Sequence, residues 1–565
     1  MQRATKYGPI RLKRWRHNIL PNSRASMMSG LCILMVVVGL LAAPGLAHAQ
    51  AINPFTAARD TAQPVTYTNP IIPGFYSDPS VVRVGDDYYL TTSTFEYFPA
   101  LPIFHSRDLV NWQQIGHVVE RPEQLPEGVD IYAPTLRFHD GTFYLITTNI
   151  NRGGNVIMHA QNPAGPWSDA VWIDLPGIDP DLFFDDDGKV YSIGSDFELA
   201  QINPQTGEII SRSGPVWATT GGRYAEAPHL YKKDGWYYLL AAEGGTEEAH
   251  SVTIARSHKI SGPYYSNPAN PILTHVNRAG QQNPIQGVGH GDLVEDHTGR
   301  WWLLFHGYRT VIEGGVHHTL GRETMLAPVS WPAFGWPQIN GNGTVTPTMQ
   351  TATLPLKPIA TAARSTDFTA PLGLAWNYVQ YPAPERYRLD EQAGTLTLNA
   401  TAGVLENPGS QPTFIGQRVT DPYFTATATL TFTPAAHEQA GLTLLNNGAH
   451  FDIMLVNVAG EINAQAILRF GEVEHRSKAV PLAGDTTNLV IKGRRDHYEF
   501  GVIEDNQYQK LETVSARYIS SETVGGFTGT YIGLYTVSPH SLPTPAIYSK
   551  FTYTKDQESA TVSDD

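Results

Sequence analysis

Residues 177–194 read GIDPDLFFDDDGKVYSIG. An apolar run, DLFF, meets a D-G turn and then the aromatic-bearing run KVYSIG, which together read as a β-hairpin. Asp179 stands before a proline at the opening of the first run, where a bare buried carboxylate is costly. The hairpin recurs along the chain. GDDYYLTT (85–92), DGTFYLITT (140–148), DGWYYLLAA (234–242) and TGRWWLLFH (298–306) repeat the turn and the aromatic strand. Ahead of each turn lies a tetrapeptide: DPSV (78–81), APTL (133–136), DPDL (179–182), APHL (227–230) and HGDL (290–293). Strand, turn and aromatic strand, repeated at a period of roughly 50 residues, is the signature of a β-propeller. Each copy is one four-stranded blade, so the chain is predicted to carry a five-bladed propeller over residues 64–350.

The chain has 565 residues, too many for one ordinary core, so a second domain is expected. TATLPLKPIATAARS (351–365) reads as a linker. Beyond it, FTATATLTFTP (424–434), FDIMLVN (451–457) and YIGLYTV (531–537) alternate apolar and polar residues with period two, which predicts a β-sandwich over 366–555. The polar end, 556–565, reads as a disordered tail. The fold class expected is therefore all-β, a five-bladed propeller followed by a sandwich.

Residues 1–49 read as a signal peptide. Seven Lys/Arg and no acids precede the apolar run LCILMVVVGLLAAPGLA, and Ala47-His48-Ala49 supplies an A-x-A cleavage site. A membrane anchor is the alternative, but the run is short for a spanning helix and holds Pro44. The expected location is thus export, periplasmic or extracellular, with no membrane contact after cleavage. Cleavage leaves 39 − 7 = 32 basic residues against 53 acids, a net charge of 32 − 53 = −21. So acidic a surface disfavours nucleic acid and anionic membranes. The single cysteine, Cys32, leaves with the signal, which excludes disulfides, a catalytic thiol and thiolate metal sites. The oligomeric state is open, a homo-oligomer included.

In a propeller the first strand of each blade lines the central channel. The tetrapeptides open those strands, so Asp78, Tyr132-Ala133, Asp179, Glu226-Ala227 and His290 should converge on the axis. Each acid singly could cap a turn before proline. Three acids at equivalent places of three blades repel one another, and that repulsion points to use. Glycoside hydrolysis needs one carboxyl protonated for the leaving oxygen and one ionised to activate water. A third carboxylate can raise the acid's pKa by its charge. The residues alone do not say which acid has which role.

The chain resembles glycoside hydrolase family 43, specifically its two-domain β-xylosidases. The segments that carry the resemblance are NPIIPGFYSDPSVVRVGDDYYLTTSTFEYFP (69–99), HSRDLVNW (105–112), GIDPDLFFDDDG (177–188), EAPHLYKKDGWYYLLAAEGGT (226–246), HSVTIARS (250–257), GHGDLVE (289–295) and LGRET (320–324). The resemblance implies Asp78 as general base, Glu226 as general acid and Asp179 as the carboxylate that tunes and orients the acid. Inversion is implied too, with base and acid about 6.5–9.5 Å apart. It matches Arg322 to a sugar-contacting arginine, Phe95 and Tyr132 to aromatic walls, and His250 to a pocket histidine. Tyr132 stands where several relatives are expected to have tryptophan. His290 matches a position where many relatives hold a calcium ion; the alternative is a hydrogen-bonded histidine that orients the pocket. No cofactor is implied for the chemistry itself. His317 and His318 read as loop residues. The second domain resembles the concanavalin-like sandwich of the same xylosidases, and Phe527 matches an aromatic leaning over the pocket mouth.

The expected activity is inverting exo-hydrolysis of β-1,4-xylo-oligosaccharides from the non-reducing end, releasing xylose. An α-L-arabinofuranosidase, or dual activity on arabinoxylan fragments, is the alternative within the class. A non-catalytic carbohydrate-binding propeller is the alternative outside it, and it has no need of Asp78 together with Glu226. A retaining fructosidase-like hydrolase would want an N-D-P-N-G nucleophile motif, which YSDPS (76–80) is not.

Overall fold

The computed structural model describes residues 64–557 apart from 277–282, 311–316, 334, 352 and 361. The proposed signal, 1–49, lies outside the described residues. Five antiparallel sheets follow in chain order, and the first strand of each contains or overlaps one of the recurring tetrapeptides. Their first strands are Ser80–Val84, Ile131–His139, Asp181–Phe184, Glu226–Lys233 and Ile285–Glu295. Each of these strands lies against its neighbours in the next blades, which closes the ring. The sheet of the fourth blade carries one further strand, Leu273–Thr274. The aromatic strands bury their bulky residues between blades, as with Tyr88, Leu145, Leu239 and Trp302. At the chain's entry, Val65–Thr68 pairs with Thr348–Thr351, and the Asn69 side chain exchanges two hydrogen bonds with the Leu326 backbone. The first and last blades are thereby tied together.

The segment read as a linker is fastened along its length. Thr351 ends a strand, the Lys357 N–H donates to Asp108, and Arg364 donates to Gln417 and Thr420. The second domain is a sandwich of two sheets. The alternation read in 424–431 appears as buried Phe424, Ala426, Ala428 and Leu430, with the threonines between them partly exposed. Asp556, placed at the start of the expected tail, donates its N–H to the Tyr423 carbonyl and pairs with Arg494 at 2.9 Å. Residues 558–565 lie outside the described residues. Among the described residues, no helix is long and apolar enough to cross a membrane.

The two domains share a sheet and a core. Tyr97–Phe98, from the first blade's loop, pairs with Asn377–Val379 at the end of the larger sandwich sheet. Phe75, Phe95 and Tyr97 of the propeller pack with Phe414, Leu445 and Tyr531 of the sandwich. Tyr97 and Tyr531 stack with centroids 3.8 Å apart. The pocket wall is therefore backed by the second domain.

One buried charge network lies on this sandwich sheet. His450 Nδ1 is 2.9 Å from Asp452 Oδ2, its Nε2 faces Glu406, and the Tyr535 hydroxyl donates to Asp452. Burial would lower the His450 pKa, but Asp452 and Glu406 outweigh it and push it from 6.5 up to about 9. A raised folded-state pKa stabilises below the unfolded value and stops doing so above the folded one. The native chain should therefore exceed a His450→Gln variant by about 3 kcal/mol at pH 6. The gap should shrink as pH rises through about 9. Urea unfolding of both proteins at pH 6 and pH 10 checks this, and a pH-independent gap would contradict it.

Candidate active site

The tetrapeptides place their side chains through a shared backbone device. Asp78, Asp179, Ala227 and His290 adopt positive φ of 56°, 53°, 52° and 47°. For non-glycine residues this costs on the order of 1–3 kcal/mol each, and such strain gathers at functional sites. In the fourth blade the register slips between Glu226 and His229, and in the second between Ile131 and Pro134. Those bulges let the residues before Ala-Pro, Glu226 and Tyr132, reach the channel. One pocket is lined by Asp78, Asp179, Glu226, His290, Arg322 and the rings of Phe95, Tyr132 and Phe527.

Asp78 is the most heavily bonded acid. Arg322 Nη1 donates to its Oδ1 at 2.8 Å, and Ser77 and Ser93 donate to its Oδ2. His306 Nδ1 lies 3.0 Å and His290 Nδ1 3.4 Å from Oδ1. Burial alone would raise this carboxyl, but Arg322, His290 and His306 hold it well below the usual range. Asp78 is thus ionised at working pH. Burial keeps His290 down to about 4, so its imidazole is neutral there.

Asp179 and Glu226 form a second unit. Their carboxylate oxygens and a ring nitrogen of His290 lie within 4.8 Å of one another. Burial, then the charges of Glu226 and Asp78, push Asp179 well above the usual range. Burial also raises Glu226, but His250, whose Nε2 is 3.6 Å from Oε1, brings it down. Asp179 stands beside Glu226, as a carboxylate that tunes and orients the acid would. His250 lies behind Glu226, while His290 lies beside both carboxyls. The two carboxyls titrate as one coupled system.

The aromatic residues form three sides of a box. Phe527 stacks on Phe95 with centroids 5.6 Å apart, and Tyr132 is 5.0 Å from Phe95 and 5.9 Å from Phe527. Phe527 follows Gly525 and Gly526, both at positive φ, and remains 43% exposed. Its carbonyl accepts from Arg322 Nη2 at 3.2 Å. The sandwich thus contributes a pocket wall. Phe527→Ala removes about 1 kcal/mol of ring contact. Initial rates on an aryl glycoside should show KM raised about five-fold with kcat little changed; an unchanged KM would contradict a wall role.

His250, expected as a pocket histidine, is not among the residues that line the pocket. It is fully buried behind Glu226, against Gly289, where any Cβ would strike its ring at 2.4 Å. His317 and His318 are more than loop residues. His318 stacks on Tyr308 and pairs with Glu522 of the sandwich at 2.6 Å. Ser77, Ser93 and His306 were not singled out from sequence. For His306 there was a signal, since the fifth aromatic strand alone ends in histidine, TGRWWLLFH.

A calcium ion beside His290 fits this donor set poorly. Calcium takes six to eight oxygens. His290 offers nitrogen, Asp78 is engaged by Arg322, and only Asp179 and Glu226 bring further carboxylate oxygens near the ring. Deeper on the axis stands a guanidinium, that of Arg137, bonded to Asp181 and Asp292.

Comparison with known proteins gives one answer throughout. The model of glycosyl hydrolases family 43 matches residues 67–337, and that of the beta xylosidase C-terminal concanavalin A-like domain matches 365–554. The chain is 40% identical over 488 residues to a non-reducing end alpha-L-arabinofuranosidase of Bacteroides ovatus, covering 83% of this chain and 91% of that one. It is 36% identical over 504 residues to a xylosidase/arabinosidase of Butyrivibrio fibrisolvens, covering 84% and 96%. Among solved structures, a xylan beta-1,4-xylosidase from Bacillus halodurans superposes with TM-score 0.81 at 32% identity, covering 87% of this chain and 100% of that one.

Proposed function

The chain belongs to glycosyl hydrolases family 43, and on that premise we propose that it is an exported, inverting exo-glycosidase that releases xylose from the non-reducing end of β-1,4-xylo-oligosaccharides. The observation that carries the reading is three acids lining one pocket, with Asp78 bonded by Arg322 and Asp179 paired with Glu226. Asp78 is held ionised by Arg322. Asp78 takes a proton from the water that attacks the anomeric carbon. Glu226 gives its proton to the departing glycosidic oxygen as the C–O bond breaks. Asp179 tunes and orients Glu226. Arg322 fixes Asp78 and presents its remaining donors to the sugar's hydroxyls. Phe527 narrows the mouth, which favours a chain end over a chain middle.

A second reading is α-L-arabinofuranosidase, alone or alongside xylosidase activity on arabinoxylan fragments. It is favoured by the arabinofuranosidase activity of the Bacteroides ovatus relative, and by Tyr132, a smaller ring than the tryptophan expected there. Residues 1–49 support export. Rates on aryl β-xyloside and aryl α-arabinofuranoside test both readings side by side. Cleavage of the xyloside with the higher kcat/KM is the expected result. A preference for the arabinofuranoside by ten-fold or more would establish the second reading, and cleavage of neither would overturn both.

A further inference from the structure

Beneath the three acids the inner strands carry another polar layer. Its members are Ser80, Asp181, His229 and Asp292, each the third residue of its tetrapeptide, and all are buried. Into this layer the second blade sends Arg137. Its Nη2 donates to Asp181 Oδ1 at 2.6 Å and lies 3.1 Å from His229 Nδ1. Its Nη1 donates to Asp292 Oδ2 at 3.0 Å and lies 3.5 Å from Ser80 Oγ. One side chain thus reaches the inner strands of the four other blades. The remaining carboxylate oxygens are satisfied as well. Asp181 Oδ2 accepts from the Leu230 N–H, and Asp292 Oδ1 accepts from the Tyr231 hydroxyl, at 2.7 and 2.6 Å.

Two buried carboxylates facing each other across a channel need a cation. A divalent ion would supply it and would join the blades. Here a planar fork already does both, with donors aimed at two carboxylates at once. The position also matters for the site above. Ser80 and Asp181 lie two residues beyond Asp78 and Asp179 on their strands, and His229 lies three beyond Glu226. We propose that Arg137 is the built-in axial cation of this propeller, standing where a metal ion would join the blades, and that it positions Asp78, Asp179 and Glu226 from below. The positioning half rests on the roles given above; the metal half does not.

The test pairs metal dependence with kinetics. The melting temperature of the native protein should move by no more than about 1 °C with EDTA or with millimolar calcium chloride. Arg137→Ala leaves an oxygen-rich cage of Asp181, Asp292 and Ser80. Its melting temperature should fall by roughly 5–15 °C and rise again with calcium. Arg137→Lys keeps a charge but cannot bridge both acids. It should lose about 10²-fold in kcat with KM nearly unchanged, the mark of misplaced catalytic groups. Three results would overturn the proposal: a native protein destabilised by EDTA and restored by calcium, a folded Arg137→Ala indifferent to calcium, or Arg137→Lys with native kcat. If Arg137→Ala does not fold, the native protein and Arg137→Lys decide the matter. If the native protein cleaves neither aryl glycoside, the functional reading fails, while the melting measurements still judge the axial cation.

Discussion

Glu226→Gln lowers kcat on xylobiose by about 10²–10⁴-fold, the range for loss of a positioned general acid. The loss is smaller on an aryl xyloside, whose phenolate departs without a proton. That contrast separates an acid from a residue that only shapes the pocket, because a shaping defect would affect both substrates alike. The pH profile adds a sign. The acid must be protonated, so activity falls as pH rises through the upper apparent pKa of the Asp179–Glu226 pair. Burial and mutual repulsion place that step above the ordinary carboxylate range. Asp179→Asn removes the repelling charge, so the alkaline limb should move to lower pH. Initial rates on both substrates across pH 4–9 check the three statements together.

Asp78→Asn removes the base and should also cost about 10²–10⁴-fold in kcat, now equally for xylobiose and the aryl xyloside. Asparagine is the informative substitution. It tolerates the positive φ of 56° at this position, so the loss cannot be assigned to a collapsed strand end. It also leaves Arg322 and the imidazoles of His290 and His306 around a neutral side chain. Asp78 must be ionised to act, and Arg322, His290 and His306 hold its pKa well below the usual range. The acid limb of native kcat/KM should therefore lie below pH 4. Native activity half lost above pH 5 on the acid side would mean that the base is not held as described.

The propeller was legible because its repeat is punctuated by turn dipeptides and aromatic strands that a single sequence displays. The convergence of Asp78, Asp179 and Glu226 followed from that repeat. Their roles came from resemblance. Sequence could not show that His250 backs Glu226, which it reaches from the turn just before the third strand of its blade. The second layer was written in the same tetrapeptides, as Asp181 and Asp292, but its neutralising partner sits just outside its own tetrapeptide, at Arg137. The positive φ in or beside four inner strands left no mark at all; for Asp78 and Asp179 the following proline ordinarily favours extended backbone. Phe527 was identified from sequence, while the continuous sheet that brings the sandwich to the pocket depends on a two-residue strand, Tyr97–Phe98.

The most direct test of the account is the anomer first released. Proton NMR during hydrolysis of an aryl β-xyloside should show α-xylose appearing first and mutarotating afterwards, as single displacement by a water activated at Asp78 requires. Initial accumulation of β-xylose would show retention through a covalent intermediate and would contradict the roles given to Asp78 and Glu226.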